Sequence, residues 1–121
     1  SRQVGIPGGW ARTRSMVAMP QIQALVERIA QVFRPERVIL FGSYAAGVPG
    51  PHSDVDLMVV VPHEGKCWEM AAKIRGRTRP EFPVDLVVRS PEQFRERLAL
   101  GDVFLRDVNE RGMVLYEADH E

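Results

Sequence analysis

The sequence predicts an α/β domain in which helices flank a small mixed β-sheet. Three observations predict it. Stretches with apolar residues at helical spacing alternate with short apolar runs fit for strands. The segment from Phe41 to Leu57 reads as a strand end, a glycine–serine turn and a second strand bearing two carboxylates. Val84-Asp85-Leu86-Val87-Val88 then echoes Val55-Asp56-Leu57-Met58-Val59, so an acid recurs inside another apolar strand. With 121 residues and 45% hydrophobic content, the chain can bury one core and only one.

Residues 1–19 follow neither period. Gly5, Pro7, Gly8 and Gly9 are interspersed with Arg2, Arg12 and Arg14, which predicts a flexible N-terminal arm ahead of a folded domain over 20–121. From Pro20, the residues Ile22, Leu25, Val26, Ile29 and Phe33 mark one face of a helix. Pro20 suits its first turn, and Pro35 cannot continue it. Val38 to Phe41 is the first predicted strand, and Val48-Pro49-Gly50-Pro51 a stiff surface turn.

The second strand runs from Asp54 to Val61. Asp54, Asp56, Met58 and Val60 share one face; Val55, Leu57, Val59 and Val61 share the other. Apolar residues dominate both faces beyond Asp56, so this strand is expected at the centre of the sheet. Cys67, Met70, Ala71 and Ile74 mark a helix expected to stop at Gly76. Pro83 places the third strand, Phe82 to Val88, at an edge or near its own start. Ser90-Pro91-Glu92-Gln93 opens a helix with a capping box, with Phe94 and Leu98 inward. Gly101 is expected to break or kink it, after which Val103, Phe104 and Val108 continue the apolar spacing. Gly112 closes that segment before a last strand, Met113 to Tyr116. An unpaired edge strand would allow a homodimer.

Bulk composition narrows the function. Lys+Arg and Asp+Glu both number 16, and this balance argues against a general nucleic-acid binder while leaving room for a nucleotide. The single cysteine, Cys67, excludes an internal disulfide and fits a reducing compartment. No apolar stretch approaches a membrane span, and no signal-peptide core is apparent, so a cytoplasmic location is expected.

Chemistry concentrates between Gly42 and Asp85. Gly42 lets the backbone turn sharply and approach a ligand where a Cβ would intrude. Ser43 adds a hydroxyl and an N–H at the entry to a helical turn, a natural anion site. Asp54 and Asp56, two apart on a strand, project from one face and repel each other unless a cation stands between them. Oxygen-rich sites of this kind suit Mg²⁺, which takes one or two carboxylates plus substrate phosphates. Simpler readings exist for each feature. Ser43 could be an ordinary N-cap, Asp54 a solvated loop end, and Asp85 the partner of Arg75, Arg77 or Arg79. The coincidence of all three features favours phosphoryl or nucleotidyl transfer.

Gly42-Ser43, ten intervening residues and Asp54-x-Asp56, set between two apolar strands, resembles the signature of the polymerase-β-like nucleotidyltransferases. The stand-alone minimal nucleotidyltransferases (MNT) are the most similar group, and the resemblance spans roughly Ile22 to Tyr116. It implies transfer of a nucleoside monophosphate, AMP from ATP, to an acceptor hydroxyl with release of pyrophosphate. Asp54 and Asp56 would bridge two Mg²⁺ ions about 3.5–4 Å apart. Asp85 matches the third acid of the family in context and would accept the hydroxyl proton or help hold the metal. Gly42 and Ser43 would hold the β- and γ-phosphates. The resemblance also implies a partner, a helical HEPN-type protein, the pair forming a toxin–antitoxin system in which a toxin tyrosine is modified. Two alternatives stand beside it: a transferase acting on an aminoglycoside-like small molecule, and a non-catalytic antitoxin subunit that binds its partner.

One departure bears on activity. Many family members carry Arg or Lys two or three residues after the serine, where this chain has Tyr44-Ala45-Ala46-Gly47. Ala46 shifts the phosphate-binding task to another cation such as Lys73, Arg75 or Arg77. His52, His63, His120, Cys67, Trp10 and Trp68 carry no spacing that assigns them a role.

Overall fold

The computed structural model describes residues 17–50 and 53–118. Most of the expected arm therefore lies outside the described residues, as do Trp10, His52 and His120. The elements in order are α1 (Met19–Phe33), β1 (Arg37–Phe41), α2 (Gly42–Ala46), β2 (Val55–Val60), α3 (Cys67–Thr78), β3 (Val84–Arg89), α4 (Pro91–Ala99), α5 (Val103–Arg111) and β4 (Met113–Glu117). The sheet order is β3-β2-β1-β4. β1 is antiparallel to both β2 and β4, while β2 and β3 run parallel. The sheet is mixed, β2 is interior and β3 lies at an edge, as the sequence predicts.

The alternation along β2 divides the core in two. Val55, Leu57, Val59 and Val61 pack with Ile22, Leu25, Val26 and Ile29 of α1 and Ile74 of α3. On the other face, Met58 and Val60 pack with Ile39, Phe94 of α4, and Leu105 and Val108 of α5. β2 is thus covered on both sides, which is why its run of hydrophobics is nearly unbroken. The crossover from β2 to β3 is made by α3, whose long connection a parallel pair requires.

Two helices differ from expectation, one in its end and one in its inward face. α3 does not stop at Gly76 but runs to Thr78, and Arg79 closes it in the left-handed region at φ 49°. Thr78 Oγ1 donates to the Ile74 carbonyl at 2.7 Å, and Arg28 Nε donates to the Thr78 carbonyl at 3.2 Å, so these last carbonyls have partners. In α5 the inward residues are Leu105 and Val108, whereas Val103 is 81% exposed. Phe104 instead meets Phe41 edge-on, ring centroids 5.5 Å apart.

The capping box of α4 forms as the sequence predicts: Gln93 N–H donates to Ser90 Oγ at 3.1 Å, and Ser90 N–H to Gln93 Oε1 at 2.9 Å. Ser90→Ala is expected to lower stability by about 1 kcal/mol, read from urea denaturation, without altering the fold.

Candidate functional site

The turn after β1 is anchored from the α1 side of the sheet. Tyr44 and Ala45 pack against the first core cluster, and the Tyr44 hydroxyl accepts the Val17 N–H at 3.0 Å. Gly42, at φ 76°, occupies a conformation that side chains with a Cβ rarely adopt. A Cβ there would overlap Oδ2 of Asp56 and lie 3.2 Å from its Cγ. The glycine is therefore required twice, for the turn and for the carboxylate that fills its vacant side. Ser43 is not an N-cap: α2 is preceded by Phe41, and no side-chain cap bond forms.

The strand register brings two of the acids together. Phe41 pairs with Asp56 across β1 and β2, and Asp56 pairs with Asp85 across β2 and β3. Residues paired in this way project from the same face. Phe41, Asp56 and Asp85 thus form a row at one end of the sheet, on the side covered by α4 and α5. Asp54 stands immediately before β2, exposed, after a turn in which Gly50 N–H donates to Ser53 Oγ and Ser53 N–H to the Gly50 carbonyl. Asp56 is half-buried; Asp85 is exposed rather than embedded, because β3 is an edge strand.

Burial pushes the Asp56 carboxyl above its ordinary value, and the charges of Asp85 and then Asp54 push it the same way. Asp85 and Asp54 therefore both act electrostatically on Asp56. Among the described residues, the ion pairs are Arg37–Glu117, Arg95–Glu36, Arg97–Asp102 and Arg111–Asp107, and none includes these acids. Arg75, a candidate structural partner of Asp85, instead donates to the Val84 carbonyl at 2.8 Å. A half-buried carboxylate beside two others, with no described counter-ion, fits the donor chemistry of a hard divalent cation. As they stand, no three acidic, histidine or cysteine side chains among the described residues close into a metal-ligand set.

Beside the turn lies a cleft of about 480 Å³, lined by Gly42, Ser43 and Ala46 on one wall and Asp107, Arg111 and Gly112 on the other. Arg111 was not among the cations singled out by sequence. Nothing local in the sequence marks it, since its place in the cleft depends on β4 pairing with β1. Lys73, Arg75 and Arg77 belong to α3, whose Ile74 packs on the opposite face of the sheet from Asp56, and they do not line this cleft.

An acid-bearing end of a mixed sheet, set against a glycine turn, is an arrangement suited to a transferase of the phosphate-handling kind. A sequence model of the nucleotidyltransferase domain matches residues 22–115, and the chain belongs to that family. Solved structures share its fold. A proposed nucleotidyltransferase from Sulfolobus solfataricus is 22% identical, with a TM-score of 0.58 over 82% of this chain and 79% of that one. A toxin–antitoxin structure with AMP-PNP is 22% identical, with a TM-score of 0.53 over 80% and 74% of the two chains. A variant of the toxin–antitoxin MntA-HpeT is 18% identical, with a TM-score of 0.51 over the same shares, 80% and 74%. At such identities the likeness is one of fold. No curated protein matches the chain significantly. Among the described residues, no helix is long and apolar enough to cross a membrane.

Proposed function

We propose that this protein is a Mg²⁺-dependent nucleotidyltransferase that moves AMP from ATP to an acceptor hydroxyl, as the MNT component of a toxin–antitoxin pair in the cytoplasm. The observation that carries the proposal is the register of Asp56 with Asp85, with Asp54 acting on the same carboxyl and no described cation among them. Family membership and the fold shared with toxin–antitoxin structures support it.

In this reading Asp54, Asp56 and Asp85 would hold Mg²⁺, which supplies charge neutralisation at the transferred phosphoryl group. Gly42 and Ser43 contact the β- and γ-phosphates. The acceptor oxygen forms a bond to the α-phosphorus, the bond from that phosphorus to the β-phosphate oxygen breaks, and pyrophosphate leaves. Asp85 takes the hydroxyl proton from an acceptor approaching from solvent, a role its exposure on the edge strand supports. The acceptor is a hydroxyl of a HEPN-type partner, a tyrosine in the first instance.

Incubation with isotope-labelled ATP and Mg²⁺, with and without the neighbouring gene's product, is expected to label that product and release pyrophosphate. Absence of label and of pyrophosphate in both arms would sink the assignment. Ala46 favours a second reading, a non-catalytic antitoxin that neutralises its partner by contact, and this predicts complex formation without label.

A further inference from the structure

The sequence leaves the phosphate cradle without a positive charge: Tyr44, Ala45, Ala46 and Gly47 follow the glycine–serine pair. The fold brings a charge to it from the far end of the chain. Arg111 is the last residue of α5, and Gly112 immediately follows. Gly112 lies tight against β1. A Cβ on it would overlap the Val108 carbonyl and Ile39 Cγ2 and stand 3.1 Å from the Leu40 carbonyl, so no space separates Gly112 from β1. The backbone that carries Arg111 therefore lies next to β1, which ends at Phe41 just before Gly42.

Within the cleft, Ala46 presents a methyl group and Arg111 is the one cationic side chain among the described lining residues. Its described partner is Asp107, one turn back on the same helix, with Nε 3.3 Å from Oδ1 and side chains 85% and 59% exposed. A surface pair of this kind contributes little, so the guanidinium can be exchanged to a better acceptor at small cost. A polyphosphate is such an acceptor, since it matches the planar fork of Arg with paired, fully charged oxygens. The cleft's size, about 480 Å³, lies within the range of small-molecule sites. Its Gly42 wall abuts Asp56, so phosphates in the cleft would lie next to the acids.

We infer that Arg111 grips the polyphosphate of the nucleotide from the α5 side of the cleft, in place of the cation that Ala46 does not provide, with Asp107 holding it in reserve when the cleft is empty. This rests on the nucleotidyltransferase reading for the identity of the ligand, though the anion site itself does not require it.

The test is calorimetric binding of inorganic tripolyphosphate and of MgATP, beside the labelled-ATP assay. Arg111→Ala is expected to weaken both ligands about tenfold or more. Arg111→Lys should lose less, Asp107→Asn should bind both more tightly by freeing the guanidinium, and Ala46→Arg should restore affinity to Arg111→Ala. Equal affinities for wild type and Arg111→Ala would overturn the inference, as would failure of the wild type to bind tripolyphosphate. Asp107→Asn weakening binding as much as Arg111→Ala would also overturn it, because that pattern reports a damaged helix end. The two readings fail separately. Label transfer with phosphate binding indifferent to Arg111 removes only this inference. Arg111-dependent tripolyphosphate binding without any label transfer removes the transferase and leaves an anion site.

Discussion

Asp56→Asn is expected to reduce nucleotidyl transfer by about a thousandfold, the scale seen when a preorganised charge-stabilising group is lost, while making the metal-free protein more stable at neutral pH. The second half follows from the site's electrostatics. The Asp56 carboxyl is held above its ordinary value by burial, by Asp85 and by Asp54, so the folded protein binds that proton more tightly than the unfolded chain does. Its ionised form therefore costs the fold stability. The cost is absent below the ordinary carboxylate range, where Asp56 is protonated in both states, and is complete once pH exceeds its raised value. Without divalent cations, the variant should melt above wild type at pH 7, and the gap should close as pH falls through the Asp56 titration. Mg²⁺ should raise the melting temperature of wild type and leave the variant unmoved. A variant that melts below wild type at pH 7 without metal would mean that Asp56 has a structural counter-charge after all.

The second large effect is at Gly42. Gly42→Ala is expected to lose about 1–2 kcal/mol from the left-handed backbone alone. It should also lose transfer activity by about a hundredfold, because the new methyl group displaces the Asp56 carboxylate. Gly47 supplies the control. It has φ 81°, yet a Cβ there would meet nothing within 4 Å. Gly47→Ala should therefore share the loss of stability, measured by denaturation, and keep the wild-type rate under conditions where both variants remain folded. Equal activity in the two variants would show that the closeness of Gly42 to Asp56 has no bearing on the chemistry.

Much of this was legible in the chain, for identifiable reasons. The nearly unbroken apolar run from Leu57 to Val61 required a strand covered on both faces, and the structure supplies α1 and α3 on one side, α4 and α5 on the other. Ser90 and Gln93 announce a helix start through bonds spanning three residues, so no tertiary information was needed. The end of α3 was less legible. Gly76 is a good stop by propensity, but Thr78 is buried and its carbonyl is bonded by Arg28 fifty residues away, which sustains two more helical residues. Phe104 and Leu105 compete for the inward position on α5. Phe41 at the sheet end decides between them by taking the Phe104 ring edge-on.

At the candidate site, the residue types of Gly42, Ser43, Asp54 and Asp56 could be read from spacing, because they lie within one strand–turn–strand unit. The pairing of Asp85 with Asp56 could only be suspected from the echo of the two strands, since parallel register is set by the crossover rather than by either strand. The place of Arg111 depends on β4 returning to β1 and is invisible locally.

The rung shared by Asp56 and Asp85 has a consequence for ion choice. Neighbouring strands stand about 4.8 Å apart, and the ladder from Val55 to Val60 fixes the backbones of this pair against breathing. Asp54 precedes that ladder and is not held by it. A cation held there would meet two jaws set by the ladder and a third ligand, Asp54, from outside it. Discrimination between small and large ions should then respond to changes at Asp54 more than to conservative changes within the strands.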